Sequence, residues 1–391
     1  MIPAFPAVIV GGPPHSGKSV LVYSLTKALR AINVPHYVLR ACPDGEGDWA
    51  NEADQSLVNT LRIKGEFTPA FTKKIDRFLQ QRHMPLIVDV GGLPNDEQQA
   101  LFRHATHAIL LVGEDKNAPV SYSENMAYWQ NIMTQQGVAV IAQIKSVLHG
   151  ENQLISSIPI LTGVMAGLER GQIAIGPVFD AVIEKLSDVF AYDSEEILAY
   201  HMAQSPVEIT LDLPSLAQTL GTEDGYWQPN QLVDLWDYLP TKTPLGVYGR
   251  SANWVYAALA MIAYPEPVWL FDVRLGWVQP PELSVGNLKD NEVQTGWDVS
   301  AEDYDSFTML HMKTHAQYLD IDDAQKLPLV AVPRQKGVIV SGKIPQWLVM
   351  AVIRQVAPGV PWTAVYQPPL GCAVVVHSQN DTVLVGKCIP V

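Results

Sequence analysis

The chain is short of charge, and shorter still of cysteine. Charged residues make up 17% of its 391 positions, and acidic ones prevail, giving a formal net charge of −14. A surface with little lysine and arginine releases few counterions from a phosphate backbone, which argues against binding duplex nucleic acid. A small phosphate-rich ligand in a local basic pocket is not excluded by that balance. Three cysteines, Cys42, Cys372 and Cys388, are odd in number and lack ligand spacing, so neither a disulfide framework nor a zinc site is supported. Long hydrophobic runs are also missing. Nothing approaches the roughly 18–20 apolar residues of a membrane helix. The opening "MIPAFPAVIVGG" has no basic stretch or cleavage site and reads as a strand entering a glycine turn. A cytoplasmic protein away from membranes is expected.

What is present is a large apolar fraction, 48% of residues, over a length that calls for two or three domains. The expected boundaries are 1–192, 203–298 and 299–391.

Residues 7–19 read "AVIVGGPPHSGKS". An apolar run enters Gly12-Pro13-Pro14-His15-Ser16-Gly17-Lys18-Ser19, which satisfies G-x-x-x-x-G-K-[ST] at each fixed position. A helical stripe of Leu21, Leu25, Ala28, Leu29 and Ile32 follows. Strand, loop and helix are the context in which backbone amides and the helix N-terminus, here up to Val20, cradle phosphates. Lys18 is then the cation of the terminal phosphates, and Ser19 a magnesium ligand beside bound ATP. Further apolar strands at 36–42, 85–92, 107–113 and 138–144 alternate with helical stretches, predicting a parallel sheet with covering helices. Asp89, ending one of these strands before Gly91-Gly92, is either a second magnesium carboxylate or a cap for the next turn. The loop "ACPDGEGDW" places Asp44, Glu46 and Asp48 after the second strand, as a proton acceptor for a hydroxyl substrate or as a solvated turn. Arg170 faces either nucleotide or solvent.

The second half repeats itself. "GVYGRSANWVYAALAMIAYPEPVWLFDVRLGWV" (246–278) lies over "GVIVSGKIPQWLVMAVIRQVAPGVPWTAVYQPPLGCAVVV" (337–376). Gly249-Arg250 matches Gly342-Lys343, Trp254 matches Trp347, and Leu275-Gly276 matches Leu370-Gly371. Both read as strand, glycine-basic turn, apolar helix, strand, turn, strand. A period of this length suits two tandem small α/β domains better than a solenoid.

These residues resemble the Csx-three family, the ring nucleases of type III CRISPR systems, with signature G-V-x-I-S-G-[RK]-x-P-x-W-L … V-Y-D-P-R-L-G-x-V-V-V. The last stretch of the chain is similar throughout, and 203–298 more faintly. The N-terminal part is similar to the P-loop NTPase domains, loosely labelled AAA, that occur fused to such proteins. The resemblance implies an α/β protein in which the P-loop domain precedes two small Rossmann-like domains of the CRISPR-associated Rossmann fold (CARF) superfamily. It implies binding of cyclic tetra-adenylate, manganese-dependent cleavage of that ring, and paired subunits in a homo-oligomer.

Carried onto this sequence, the family's Asp and Arg fall on Asp272 and Arg274, the implied catalytic pair, with Asp272 also the implied manganese ligand. The second copy has Gln367 and Pro369 there. The phosphate-contacting turns fall on Gly249, Arg250 and Ser251 and on Ser341, Gly342 and Lys343. A family histidine before the D-P-R-L-G strand has no counterpart. Without the family, Asp272 and Arg274 read simply as an ion pair across a turn. The expected activities are ATP hydrolysis and ring cleavage. The alternatives are a sensor that binds the ring without cutting it, and a small-molecule or nucleotide kinase.

Overall fold

The computed structural model describes residues 5–42, 68–113, 120–222, 226–285, 297–314, 318–325 and 327–391. They divide into two compact units, Met1–Tyr200 and His201–Val391. The acidic loop with Asp44, Glu46 and Asp48 lies outside the described residues.

In the first unit the described strands are β1 (Ala7–Gly11), β2 (Tyr37–Arg40), β3 (Leu86–Asp89), β4 (His107–Gly113), β5 (Ala139–Val147), β6 (Gln153–Ser156) and β7 (Leu161–Ala166). They form one sheet in the order β2-β3-β1-β4-β5-β7-β6, parallel except for β6. β1 lies in the middle, buried along its whole length, which is why it reads as an unbroken apolar run. The covering helices are α1 (Lys18–Ala31), α2 (Pro69–Gln80), α3 (Asp96–Leu101), α4 (Tyr122–Gln135), α5 (Pro177–Val189) and α6 (Ser194–Met202). The stripe expected on α1 buries Leu21, Leu25 and Leu29, but it stops there: Ile32 is the C-cap and lies exposed. The edge hairpin β6–β7 has no counterpart in the sequence reading, because its polar ends mask the alternation.

The second unit contains the repeat. One sheet orders β11 (Gly276–Val278), β10 (Val268–Asp272), β9 (Leu245–Tyr248) and β8 (Ile209–Asp212). The other orders β13 (Trp297–Asp303), β14 (Phe307–Thr314), β16 (Gly337–Lys343), β17 (Trp362–Gln367), β18 (Cys372–Ser378) and β19 (Cys388–Pro390). β8, β9 and β10 are parallel and β11 antiparallel. β14, β16, β17 and β18 repeat that plan strand for strand, with β13 and β19 added at the edges. A short parallel pair, β12 (Ser284–Val285) with β15 (Pro328–Leu329), joins the connecting segments. The helices are α7 (Leu213–Thr219), α8 (Gln231–Tyr238), α9 (Asn253–Ala263), α10 (Ile321–Ala324) and α11 (Gln346–Val356).

α9 and α11 occupy the same place in each copy and pack against each other, and α9 also lies on β17 and β18. α9 is buried from Trp254 to Ala263 on every side, as an all-round apolar helix must be. Trp254 and Trp347, matched in sequence, are both buried in one core drawn from both copies. The two copies therefore form one unit. The expected boundary at 298/299 falls inside β13.

Candidate functional site

The loop between β1 and α1 is a tight, glycine-rich turn. Gly17, with φ 88°, is the N-cap of α1, and its carbonyl begins the helical ladder at Leu21. Gly12 has φ 151° and passes so close to the Leu111 carbonyl that a Cβ has no room. His15 also turns left-handed, at φ 61°. Pro14 packs on Gly92 and Gly17 on Leu168, so the loop is held from both sides. Within it, the Ser16 hydroxyl donates to the Pro13 carbonyl at 2.9 Å and the Lys18 ammonium to the same oxygen at 2.7 Å. Lys18 is thus folded along the loop and buried. Val20 is packed in the core, so only its backbone faces the loop.

Sheet order brings in the acidic residue. β3 is the immediate neighbour of β1, with Asp89 in register with Val10. The Ser19 hydroxyl donates to Asp89 Oδ2 at 3.3 Å. A hydroxyl and a carboxylate oxygen this close, beside a phosphate cradle, are the hard oxygen donors that magnesium takes in such sites, so the residues present fit the ion. Asp89 is buried, at 2% exposure. Arg40, which the sequence reading passed over, ends β2 in register with Asp89 and places Nη1 3.9 Å from the same Oδ2. No motif marks it; only the pairing of β2 with β3 brings it there. Arg170 lies exposed in the turn after β7.

In the second unit, Asp272 ends β10 and binds Arg274 twice. The Arg274 backbone amide donates to Oδ1 at 2.8 Å and its guanidinium to Oδ2 at 3.1 Å. Arg274 also lies over the Tyr318 ring, 5.6 Å from its centroid. The pair is real and mostly buried, as the ion-pair reading expected. Among the described residues no group of three or more His, Cys, Asp and Glu converges on a common point.

The two glycine turns differ. Gly249 has φ 100°, and the buried Tyr256 hydroxyl donates to its carbonyl at 2.6 Å while accepting from the Ser251 amide at 3.0 Å. Burial pushes the Tyr256 phenol up to about 12, so it stays a donor at neutral pH. Tyr248, just before the turn, bonds His201 Nδ1 at 2.9 Å, and burial with the nearby Asp212 charge raises it to about 12 as well. Arg250 is left exposed at the rim. In the second copy Gly342 closes on the Met312 carbonyl, with Ser341 partly buried and Lys343 exposed. Lys343 is the register neighbour of Lys313 on β14, a pair of like charges that sequence spacing did not reveal. Side by side they repel unless an anion lies between them.

Among the described residues no helix is long and apolar enough to cross a membrane. No curated protein matches the chain. Among solved structures, the kinase domain of Escherichia coli tyrosine kinase ETK aligns at 14% identity over 39% of this chain and 71% of that one, with a TM-score of 0.26. Residues 312–390, from β14 to β19, match the family model described as CRISPR-associated protein (Cas_csx3), so this last segment carries a CRISPR-associated domain of that kind.

Proposed function

We propose that this is an accessory protein of type III CRISPR defence. Its first unit binds and hydrolyses ATP with magnesium. Its second unit, two Rossmann-like copies sharing one core, binds cyclic tetra-adenylate. The observation that carries the first part is the buried Lys18 and Ser19 facing Asp89 across a loop with no room for side chains at Gly12. The second part is supported by the Cas_csx3 match over 312–390 and by the doubled glycine-basic turns.

Magnesium, when bound, screens the charge of the terminal phosphates and orients them. Ser19 and Asp89 would hold it, and Lys18 would trade the Pro13 carbonyl for phosphate oxygens. Backbone amides of residues 13–19 and the N-terminus of α1 supply the remaining donors. At the second site, Arg250 from one copy and Lys343 from the other would offer cations to a ring with four phosphates. The family resemblance carries with it a cytoplasmic homo-oligomer and a manganese requirement.

Ring cleavage would need a proton acceptor for the ribose 2′-hydroxyl and a cation for the charge that develops on phosphate. Asp272 and Arg274 have those chemistries, yet each occupies the other. That mutual engagement favours the sensor reading, in which the ring is bound intact and regulates the ATPase.

The test is incubation of the protein with radiolabelled cyclic tetra-adenylate and manganese, with and without ATP, beside Asp272→Ala and Lys18→Ala. Retention of an intact ring that shifts in a gel is the sensor outcome. Linear product that disappears in Asp272→Ala makes the protein a ring nuclease. A protein that neither binds nor cleaves the ring overturns the ring-messenger reading.

A further inference from the structure

We propose that Arg40 is a phosphate-contacting residue that distinguishes ATP from ADP by leaving Asp89 for the terminal phosphate. The inference rests on the nucleotide reading of the P-loop and adds a residue that no motif assigns.

The geometry centres on one oxygen. Asp89 Oδ2 accepts the Ser19 hydroxyl at 3.3 Å and lies 3.9 Å from Arg40 Nη1. The Arg40 side chain is 16% exposed and that of Asp89 3%, so the three groups share a largely dry corner at the carboxyl ends of β2 and β3. The Arg40 main chain is fixed as well, because β2 pairs with β3 in register up to Asp89 and the next amide, of Ala41, donates to the Asp89 carbonyl at 2.8 Å.

If Ser19 and Asp89 held magnesium, the Asp89 oxygen that faces Arg40 would be shared with the metal. A dication held there would repel the guanidinium in that poorly solvated corner. Arg40 cannot lose its charge, since a guanidinium holds its proton throughout the physiological range. A guanidinium weakened in its hold on that carboxylate is drawn to an incoming anion. The anion that enters together with the metal is the phosphate tail lying over residues 12–19, and its terminal group is the one that shares magnesium with Ser19. A guanidinium fork bonds such a group through two parallel N–H donors. ADP ends one phosphate short of this contact. With ADP, Arg40 stays near Asp89 and opposes the metal; with ATP it gains a partner.

The experiment measures binding of fluorescent ATP and ADP analogues to the full chain in magnesium, for wild type, Arg40→Gln and Arg40→Lys, with thermal melts to show that each variant is folded. The expected result is that Arg40→Gln weakens ATP by about tenfold or more, the scale of one charge-assisted contact, while ADP changes by less than about threefold. Arg40→Lys, keeping the charge without the fork, should fall between. Magnesium half-saturation with ADP should drop in Arg40→Gln, because the opposing cation is gone. Equal weakening of both nucleotides, or no change in either, overturns the proposal and leaves Arg40 as a support for Asp89. If wild type binds neither nucleotide, the P-loop reading itself fails and takes this inference with it.

Discussion

Ser19 and Asp89, seventy positions apart, meet through a hydroxyl-to-carboxylate hydrogen bond of 3.3 Å that ties the first turn of α1 to the end of β3. The contact exists because β3 sits directly beside β1. On the magnesium seat proposed above, removing either end would take away one of the two protein oxygens. Ser19→Ala should raise the magnesium concentration needed for ATP hydrolysis, with ATP binding in excess magnesium nearly preserved. Lys18→Ala, which deletes the cation proposed to reach the terminal phosphates, should weaken ATP by roughly ten- to a hundredfold, the range for losing a charged hydrogen bond. Titration with a labelled ATP analogue checks both. Unchanged affinity in Lys18→Ala would mean that the lysine stays on the Pro13 carbonyl.

Gly12 offers a sharper structural test. Its φ of 151° and the adjoining Leu111 carbonyl leave no room for a Cβ, and the obstacle is backbone that cannot swing aside. Gly12→Ala should destabilise the Met1–Tyr200 unit by about 3 kcal/mol or more, combining overpacking with backbone strain. Gly171→Ala is the control. It too is left-handed, at φ 80°, but faces open space, so only the backbone cost of about 1–2 kcal/mol should appear. Urea unfolding midpoints read the difference, and equal losses at the two sites would refute the steric account.

Arg354 joins the two copies. Its guanidinium donates to the carbonyls of Ala260 at 2.9 Å and Pro265 at 3.0 Å and lies over the Tyr264 ring. It thus terminates α9 of the first copy from α11 of the second. Arg354→Ala should cost the His201–Val391 unit about 2–3 kcal/mol, given two hydrogen bonds to a charged group and a ring contact. Arg354→Lys should recover less than half of that, since one ammonium cannot span both carbonyls. Chemical denaturation followed by tryptophan fluorescence measures it. A loss under about 0.5 kcal/mol would make the clasp incidental.

What could be read from the sequence was whatever is written locally. The phosphate loop is contiguous, so its residues, the strand before it and the helix after it were all legible. The repeat was legible because both copies keep their glycine-basic turns and their tryptophans, and the matched order of β8–β11 and β14, β16, β17 and β18 follows that reading. Arg40, Lys313 and Arg354 were not legible. Each acquires its meaning from a strand or helix brought alongside by the fold, and no spacing along the chain records such neighbours. Asp272 and Arg274 were found through family likeness, yet their geometry is the plain ion pair that residue chemistry alone expected. The shared core was also hidden. Only the burial of α9 on all sides shows that the copies depend on each other.

His377 gives the second unit a pH dependence of known sign. It stands on β18 opposite Thr363, with its Nδ1 buried and without a partner among the described residues. Burial disfavours the imidazolium, so its folded pKa is lowered from the ordinary 6.5. In the unfolded chain the ring protonates normally. Between those two values the unfolded state binds more protons, and stability rises with pH. The stabilisation is therefore full above about pH 6.5 and is lost progressively as pH falls from there toward the lowered folded value. His377→Gln keeps a polar side chain and removes the titration. Its urea midpoint should fall less than that of wild type between about pH 8 and pH 5. His107, lowered by burial in the first unit, should leave its own mark on that unit alone, so His107→Gln serves as the independent comparison. Parallel pH profiles for wild type and His377→Gln would show that the buried ring ionises freely in the folded protein and that its burial has no hold on stability.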